Sequence, residues 1–91
     1  MPFNDRFKIE VVVDVDDTYA RYEVTPVDGC NPVMELSIAH DKSLSVVFYP
    51  SHEAVRIPLQ DMEEICGAFK KFAPLAIANG DAARDYFKSL G

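Results

Sequence analysis

The sequence predicts an α+β fold: a five-stranded antiparallel β-meander with one face covered by a C-terminal helix and a short terminal helix. From residue 6 to residue 58, apolar and polar residues alternate in five successive runs separated by turn residues, which is typical of half-buried strands. From Leu59 onward, apolar residues recur at steps of three and four, which is typical of an amphipathic helix. Because all the helical sequence follows the strands, we expect the second face of the sheet to stay open.

The chain is expected to form a single domain. Its 91 residues are too few to divide into two parts that each bury a core. Hydrophobic residues make up 48% and charged residues 26%, which is ordinary for a globular protein. We expect residues 1–91 to be one unit, with the sheet at about 6–58 and helices at about 59–73 and 81–90.

The first two runs predict a hairpin around residues 16 and 17. Turning there places Ile9 opposite Val24 and Val11 opposite Tyr22, so that apolar residues of both strands share one face. The third and fourth runs pair around Asp41, and a short fifth strand is predicted from residue 54 to 57. The apolar side chains expected beneath the helix are Phe7, Ile9, Val11, Val13, Val15, Ala20, Tyr22, Val24, Met34, Leu36, Ile38, Leu44, Val46, Phe48, Val55 and Ile57.

The helical segment is predicted to have a buried stripe and a polar face. The stripe consists of Leu59, Met62, Ile65, Cys66, Phe69 and either Phe72 or Ala73. The polar face consists of Gln60, Asp61, Glu63, Glu64, Lys70 and Lys71. Pro74 is expected to stop or kink the helix, and Asn79–Gly80 to end any helical turn after it. Asp81 then reads as the N-cap of a last helix, docked through Ala83, Tyr86, Phe87 and Leu90.

The charge is acidic and unevenly distributed. The formal net charge is −6; residues 1–45 hold nine acids and four bases, a net of −5, and residues 46–91 hold six acids and five bases, a net of −1. Since phosphate backbones favour Lys and Arg, an acidic sheet disfavours non-specific nucleic-acid binding and favours a basic protein partner.

The sequence gives no reason to expect a catalytic, metal or cofactor site. His40 and His52 lie in turns at opposite ends of one predicted strand, and Cys30 and Cys66 are isolated. No nucleophile elbow, P-loop or calcium-loop spacing occurs. We therefore expect a non-enzymatic protein, although a polar cavity between helix and sheet would support a small-molecule site.

The open sheet face is the predicted interaction surface. We expect a small acidic protein-binding module that acts as an inhibitor, immunity-like or accessory protein, forms a homodimer and uses this face. Its apolar and aromatic anchors would be Val12, Tyr19, Val33, Val47 and Tyr49. Its charged residues would be Asp14, Asp16, Asp17 and Arg21, with Val33 lying opposite Tyr49.

A second interpretation is a single-stranded nucleic-acid-binding domain. The order of elements from about Arg6 to Phe72, a meander followed by a helix, resembles that of the Whirly, positive-cofactor-4 and PUR-repeat families. That resemblance implies a curved sheet presenting aromatics beside basic residues, here Tyr19 and Tyr49 with Arg6, Lys8, Arg21 and Arg56. With neither a secretory signal nor a run of about 20 apolar residues, we expect a cytoplasmic protein without a membrane partner.

Overall fold

The computed structural model describes residues 3–14 and 18–90 and has an α+β architecture. One open antiparallel sheet has the order β1-β2-β3-β4, so the predicted meander is confirmed with four strands rather than five. Its strands are β1 (Phe7–Val12), β2 (Arg21–Pro26), β3 (Met34–Ile38) and β4 (Leu44–Phe48). Within the described residues, one helix, α1 (Leu59–Leu90), follows them.

The segment predicted as a fifth strand is irregular. Residues 54–58 pair with no strand of the described chain, and Val55 instead lines a surface cleft with Phe7 and Pro26. Only Ile57 of this segment packs against the core. Prolines at positions 50 and 58 explain the difference, because a proline cannot donate to a ladder and favours a bend at either end of so short a run.

The predicted strand registers are confirmed. In β1 and β2, Ile9 lies opposite Val24, and Val11 lies opposite Tyr22. In β3 and β4, Leu36 lies opposite Val46, the pairing that a turn centred on Asp41 requires. The Asp41 carboxylate accepts hydrogen bonds from the backbone N–H and the hydroxyl of Ser43, at 3.0 and 2.6 Å, which fixes the turn and lowers the pKa of Asp41.

The core lies between the middle of the sheet and the first half of α1. Its buried members are Phe7, Val24, Met34, Leu36, Ile65 and Phe69. The Tyr22 ring extends it, with its centroid 5.1 Å from that of Phe69 and 4.7 Å from that of Phe72. Such offset aromatic contacts add to the stabilisation that apolar burial provides.

The helix leaves β4 and the end of the first run uncovered, contrary to the prediction that the whole apolar face lies beneath it. Val11 and Val13 of the first run and Leu44, Val46 and Phe48 of β4 are exposed, Phe48 by 60%. The reason is geometric. A helix is about 10–12 Å across with its side chains, whereas four strands at about 4.8 Å spacing present a wider surface.

Helix α1 is continuous, so the predicted break at Pro74 is wrong. Pro74 lies on the exposed side of the helix, where water can satisfy the carbonyl that loses its partner, while Ala73 and Ala76 are buried on the other side. Ala83 and Tyr86, predicted to dock a separate terminal helix, are exposed, and the side chains of Phe87 and Leu90 are outside the described part. At about 1.5 Å per residue, the 32-residue helix is as long as the 47 Å long axis of the domain.

The N-terminal end of α1 is held by an ion pair between an exposed arginine, Arg6, and a buried carboxylate, Asp61. Asp61, predicted on the polar face, is fully buried. Its carboxylate accepts two hydrogen bonds from the Arg6 guanidinium, at 2.5 and 2.6 Å, and one from the Asn4 amide at 3.2 Å. The hydrogen bonds from Arg6 are the main reason that the pKa of Asp61 is lowered.

The second half of α1 is held against the segment before β2. Tyr19, predicted to point outward, is only 5% exposed, and its hydroxyl donates a hydrogen bond to Asp81 at 2.6 Å. Asp81 also forms ion pairs with Lys42 at 3.4 Å and Arg84 at 3.1 Å. Gly80 permits this approach, because a Cβ there would lie 2.4 Å from the backbone oxygen of Thr18. Asp81 therefore anchors tertiary structure rather than capping a new helix.

Candidate binding face

Three glutamates lie in direct register on the sheet face opposite α1. Glu10 of β1 is paired with Glu23 of β2, and Glu23 is paired with Glu35 of β3. Side chains directly opposite one another in an antiparallel sheet have Cβ atoms about 4.5–5.5 Å apart. The three carboxylates therefore form one acidic row across the sheet, which we call the glutamate row.

The glutamate row is neutralised at one end only. Within residues 3–14 and 18–90, neither Glu10 nor Glu23 has a salt bridge within 4 Å. Glu35 pairs with the Arg21 guanidinium at 2.9 Å, and the same guanidinium lies 2.8 Å from the Asp14 carboxylate. The face consequently keeps an acidic character towards β1 and contains a charged cluster towards β3.

A cleft of about 460 Å³ lies beside this charged cluster. The polar and aromatic residues that line it include Asp14, Thr18, Arg21, Glu35, His40 and Tyr49. Its volume is within the range of about 300–1,000 Å³ found for small-ligand sites. The cleft lies at the end of the open face. A small-molecule site was expected to need a polar cavity between the helix and the sheet, and this cleft is at a different position.

Tyr49 is one of two aromatic residues that line this cleft; the other is Tyr19, whose hydroxyl donates to Asp81 of α1. The burial of Tyr49, followed by the negative charges of Glu35 and Glu23, raises the pKa of its phenol. The backbone N–H of Tyr49 donates to the carbonyl of Val33 at 3.0 Å, as the predicted opposition of these two residues requires. The phenol therefore remains a neutral donor beside carboxylates over the physiological pH range.

The predicted apolar anchors do not form one patch. Val33, Val47 and Tyr49 lie at or next to β3 and β4, whereas Val12 lies on β1, paired with Arg21. Val47 is exposed and Val12 is partly buried, whereas Val33, predicted to point outward, is partly buried against the hydrophobic core. The outward apolar surface is therefore divided by the charged residues of β2 and β3.

The predicted acidic cluster is described only in part. Asp14 is exposed and pairs with Arg21, while Asp16 and Asp17 lie outside the described residues. Tyr19, predicted as an outward anchor, is only 5% exposed and donates to Asp81 of α1, although it also lines the cleft. Sequence reasoning missed the glutamate row as a feature, although the predicted opposition of Ile9 and Val24 already places Glu10 opposite Glu23.

Two of the four basic residues of the nucleic-acid interpretation, Arg6 and Arg21, form ion pairs within the domain. Arg6 binds Asp61 on the helix, and Arg21 binds two carboxylates of the sheet. Both expected stacking residues, Tyr19 and Tyr49, line the cleft at the end of the open face, but Tyr19 is only 5% exposed. The described face offers little of the aromatic and cationic surface that single-strand binding uses.

Among residues 3–14 and 18–90, no group of three or more His, Cys, Asp or Glu side chains is arranged to hold a metal ion. In the same ranges, no helix combines the length and the hydropathy needed to cross a membrane.

Comparison with known proteins adds no assignment. No family model matches the chain, and neither the curated proteins nor the solved structures contain a significant match. The functional proposals therefore depend on the geometry of the fold and its open face.

Proposed function

We propose that the protein is a non-enzymatic binding module that holds a basic protein partner on the open face of its sheet. The glutamate row is the observation that carries this proposal. Like charges directly opposite one another in a sheet are destabilising. A fold that keeps two such pairs in succession bears a cost that a bound cationic partner would remove, and such local conflicts mark functional surfaces.

The cleft beside Tyr49 supports an anchor for a lysine or arginine side chain of that partner. The Arg21 guanidinium lies between Asp14 and Glu35, and this arrangement supports the idea that a second planar cation could bind beside it. An incoming cation would find the Tyr49 ring and the outer oxygens of the same carboxylates within one cleft. Carboxylates at the rim would speed association by steering, while the aromatic ring would supply affinity.

The test uses a fluorescently labelled nona-arginine peptide and measures its anisotropy at low ionic strength. We expect the double variant Glu23→Gln/Glu35→Gln to weaken binding at least tenfold. The matched control is Glu63→Gln/Glu64→Gln, which removes the same charge from exposed positions on α1. We expect that control to weaken binding less than threefold.

Two results would refute the proposal. Equal weakening by both double variants would mean that the peptide responds only to net charge. An unchanged affinity in Tyr49→Ala would remove the cleft as an anchor, since truncation of an interface aromatic costs more than about 1 kcal/mol. A labelled single-stranded oligonucleotide in the same assay tests the alternative function, which fails if no binding occurs at tens of micromolar.

A further inference from the structure

Strand β4 is an edge strand without the features that normally protect an edge. It ends the sheet, and all five of its residues, Leu44–Phe48, are exposed and uncharged. Edge strands are usually blunted by charged residues, prolines or bulges, because their unpaired backbone can template another strand. The opposite edge, β1, shows such protection, since it carries Lys8 and Glu10.

The unpaired backbone groups of β4 belong to its three inward-facing residues. On the β3 side, Ala39 donates to the Ser43 carbonyl at 2.9 Å, and Tyr49 donates to the Val33 carbonyl at 3.0 Å. Hydrogen-bonding direction alternates along an antiparallel strand, so odd-numbered residues of β4 bond to β3. The N–H and C=O groups of Leu44, Val46 and Phe48 therefore point away from the sheet.

The same three residues carry exposed apolar side chains on the helix side of the sheet. Next to them, a groove of about 140 Å³ runs between β4 and α1 and is lined by Leu36, Leu44, Val46, Cys66, Phe69 and Lys70. Strand β4 therefore offers both free backbone groups that can pair with another strand and an apolar surface that a partner can bury.

We propose that a second copy of this chain pairs with β4, antiparallel and centred on Val46, to form a continuous eight-stranded sheet. In this register Val46 lies opposite Val46 of the second copy, and Leu44 lies opposite its Phe48. All three outward-pointing residues would then form hydrogen-bonded pairs, which gives about six hydrogen bonds. Phe48 of the second copy would lie beside Leu44, next to the apolar groove.

Self-complementarity and charge favour a second copy as the occupant. A two-fold axis at Val46 pairs apolar with apolar residues and keeps both helices on the same side of the sheet. The chain carries a net charge of −6, so most surfaces of two copies repel, whereas β4 is uncharged from Leu44 to Tyr49. Because five residues per strand is fewer than the roughly 20–30 per side of standard interfaces, we expect micromolar affinity.

Disulfide trapping tests the register. In a Cys30→Ser/Cys66→Ala background, Val46→Cys places two thiols at a hydrogen-bonded pair with a Cα separation of about 5.5 Å, inside the disulfide range of about 4.4–6.8 Å. Ser45→Cys is the control, because the diagonal offset separates its two copies by more than about 7 Å. Under mild oxidation we expect covalent dimer from Val46→Cys at least tenfold faster than from Ser45→Cys. Equal rates would refute the register.

Sedimentation equilibrium from 1 to 300 μM tests the association itself. We expect a concentration-dependent dimer that Val46→Lys abolishes and that Leu75→Lys leaves unchanged, since Leu75 is 60% exposed on the helix, outside the β4 groove. A wild-type chain that stays monomeric at 300 μM, or a dimer that survives Val46→Lys, would overturn the proposal. This dimer does not depend on the basic partner proposed above, and Val46→Lys should still bind nona-arginine.

Discussion

Two glycines of α1 provide a matched test of how the helix is packed. A Cβ at Gly67 would have no atom within 4 Å, whereas a Cβ at Gly80 would lie 2.4 Å from the Thr18 backbone oxygen and 2.5 Å from Cδ1 of Tyr19. Neither glycine has a positive φ, so alanine meets no backbone strain at either position. The two Gly→Ala variants thus share the same gain in helix propensity and differ only in the space available for the added methyl group.

The expected changes in the free energy of unfolding follow from helix propensity and from the space available for the new methyl group. Alanine is favoured over glycine in a helix interior by about 0.8–1.0 kcal/mol. Gly67→Ala should increase the free energy of unfolding by this amount, which raises the Tm by about 4–8 °C in a domain of this size. Gly80→Ala gains the same amount but incurs an overpacking cost of about 1–3 kcal/mol, since the atom it meets is backbone and cannot rotate away.

The free energies of unfolding of the two variants should therefore differ by about 1–3 kcal/mol, with Gly67→Ala the more stable. Thermal and urea unfolding, followed by circular dichroism at 222 nm, measure the difference. Equal stabilisation by both substitutions would refute the reasoning, because it would mean that α1 does not approach the Thr18–Tyr19 segment.

Pro74→Ala should stabilise the chain by about 1–3 kcal/mol in urea unfolding, because Pro74 is exposed within a continuous helix; no gain would favour a break there. Asp61→Asn tests the ion pair with Arg6. Because the pKa of Asp61 is lowered on folding, its stabilisation is present above its ordinary pKa of 3.8 and is lost as the pH falls through the lower folded pKa. The difference in Tm between wild type and Asp61→Asn should therefore be large at pH 6 and shrink below pH 3.8, whereas a constant difference would contradict the role assigned to the carboxylate. Glu23→Gln should raise stability by about 0.2–0.5 kcal/mol for each like-charge pair relieved, the size found for like-charge pairs on helices, with the gain smaller in 1 M salt; a loss of stability would argue against repulsion along the glutamate row.

Local periodicity predicted the strands and their registers well, because alternation and turn position fix both. The pairing of Ile9 with Val24 is an example. Local periodicity could not predict how much of the sheet one helix covers. Leu44 and Phe48 are exposed, although they alternate with polar residues in the same way as buried Leu36. Coverage depends on the relative widths of helix and sheet, which no local pattern encodes.

The predicted helix boundaries were wrong for a related reason. Pro74, Gly80 and Asp81 each read locally as the end or the start of a helix, and in the fold each has a position that tertiary contacts or solvent determine. The candidate site was partly predictable. The register implied the glutamate row, but the burial of Tyr19 depends on a contact with Asp81, 62 residues away along the chain.

The contact between Arg6 and Asp61 also suggests an order of events in folding. Every strand pairs with its neighbour along the chain, so each hairpin closes a short loop, whereas this ion pair joins residues 55 positions apart. The meander can therefore form one hairpin at a time, before the N-terminal end of α1 binds Arg6 through Asp61. We expect the ion pair to form after the rate-limiting step, so that its loss accelerates unfolding while leaving the refolding rate nearly unchanged.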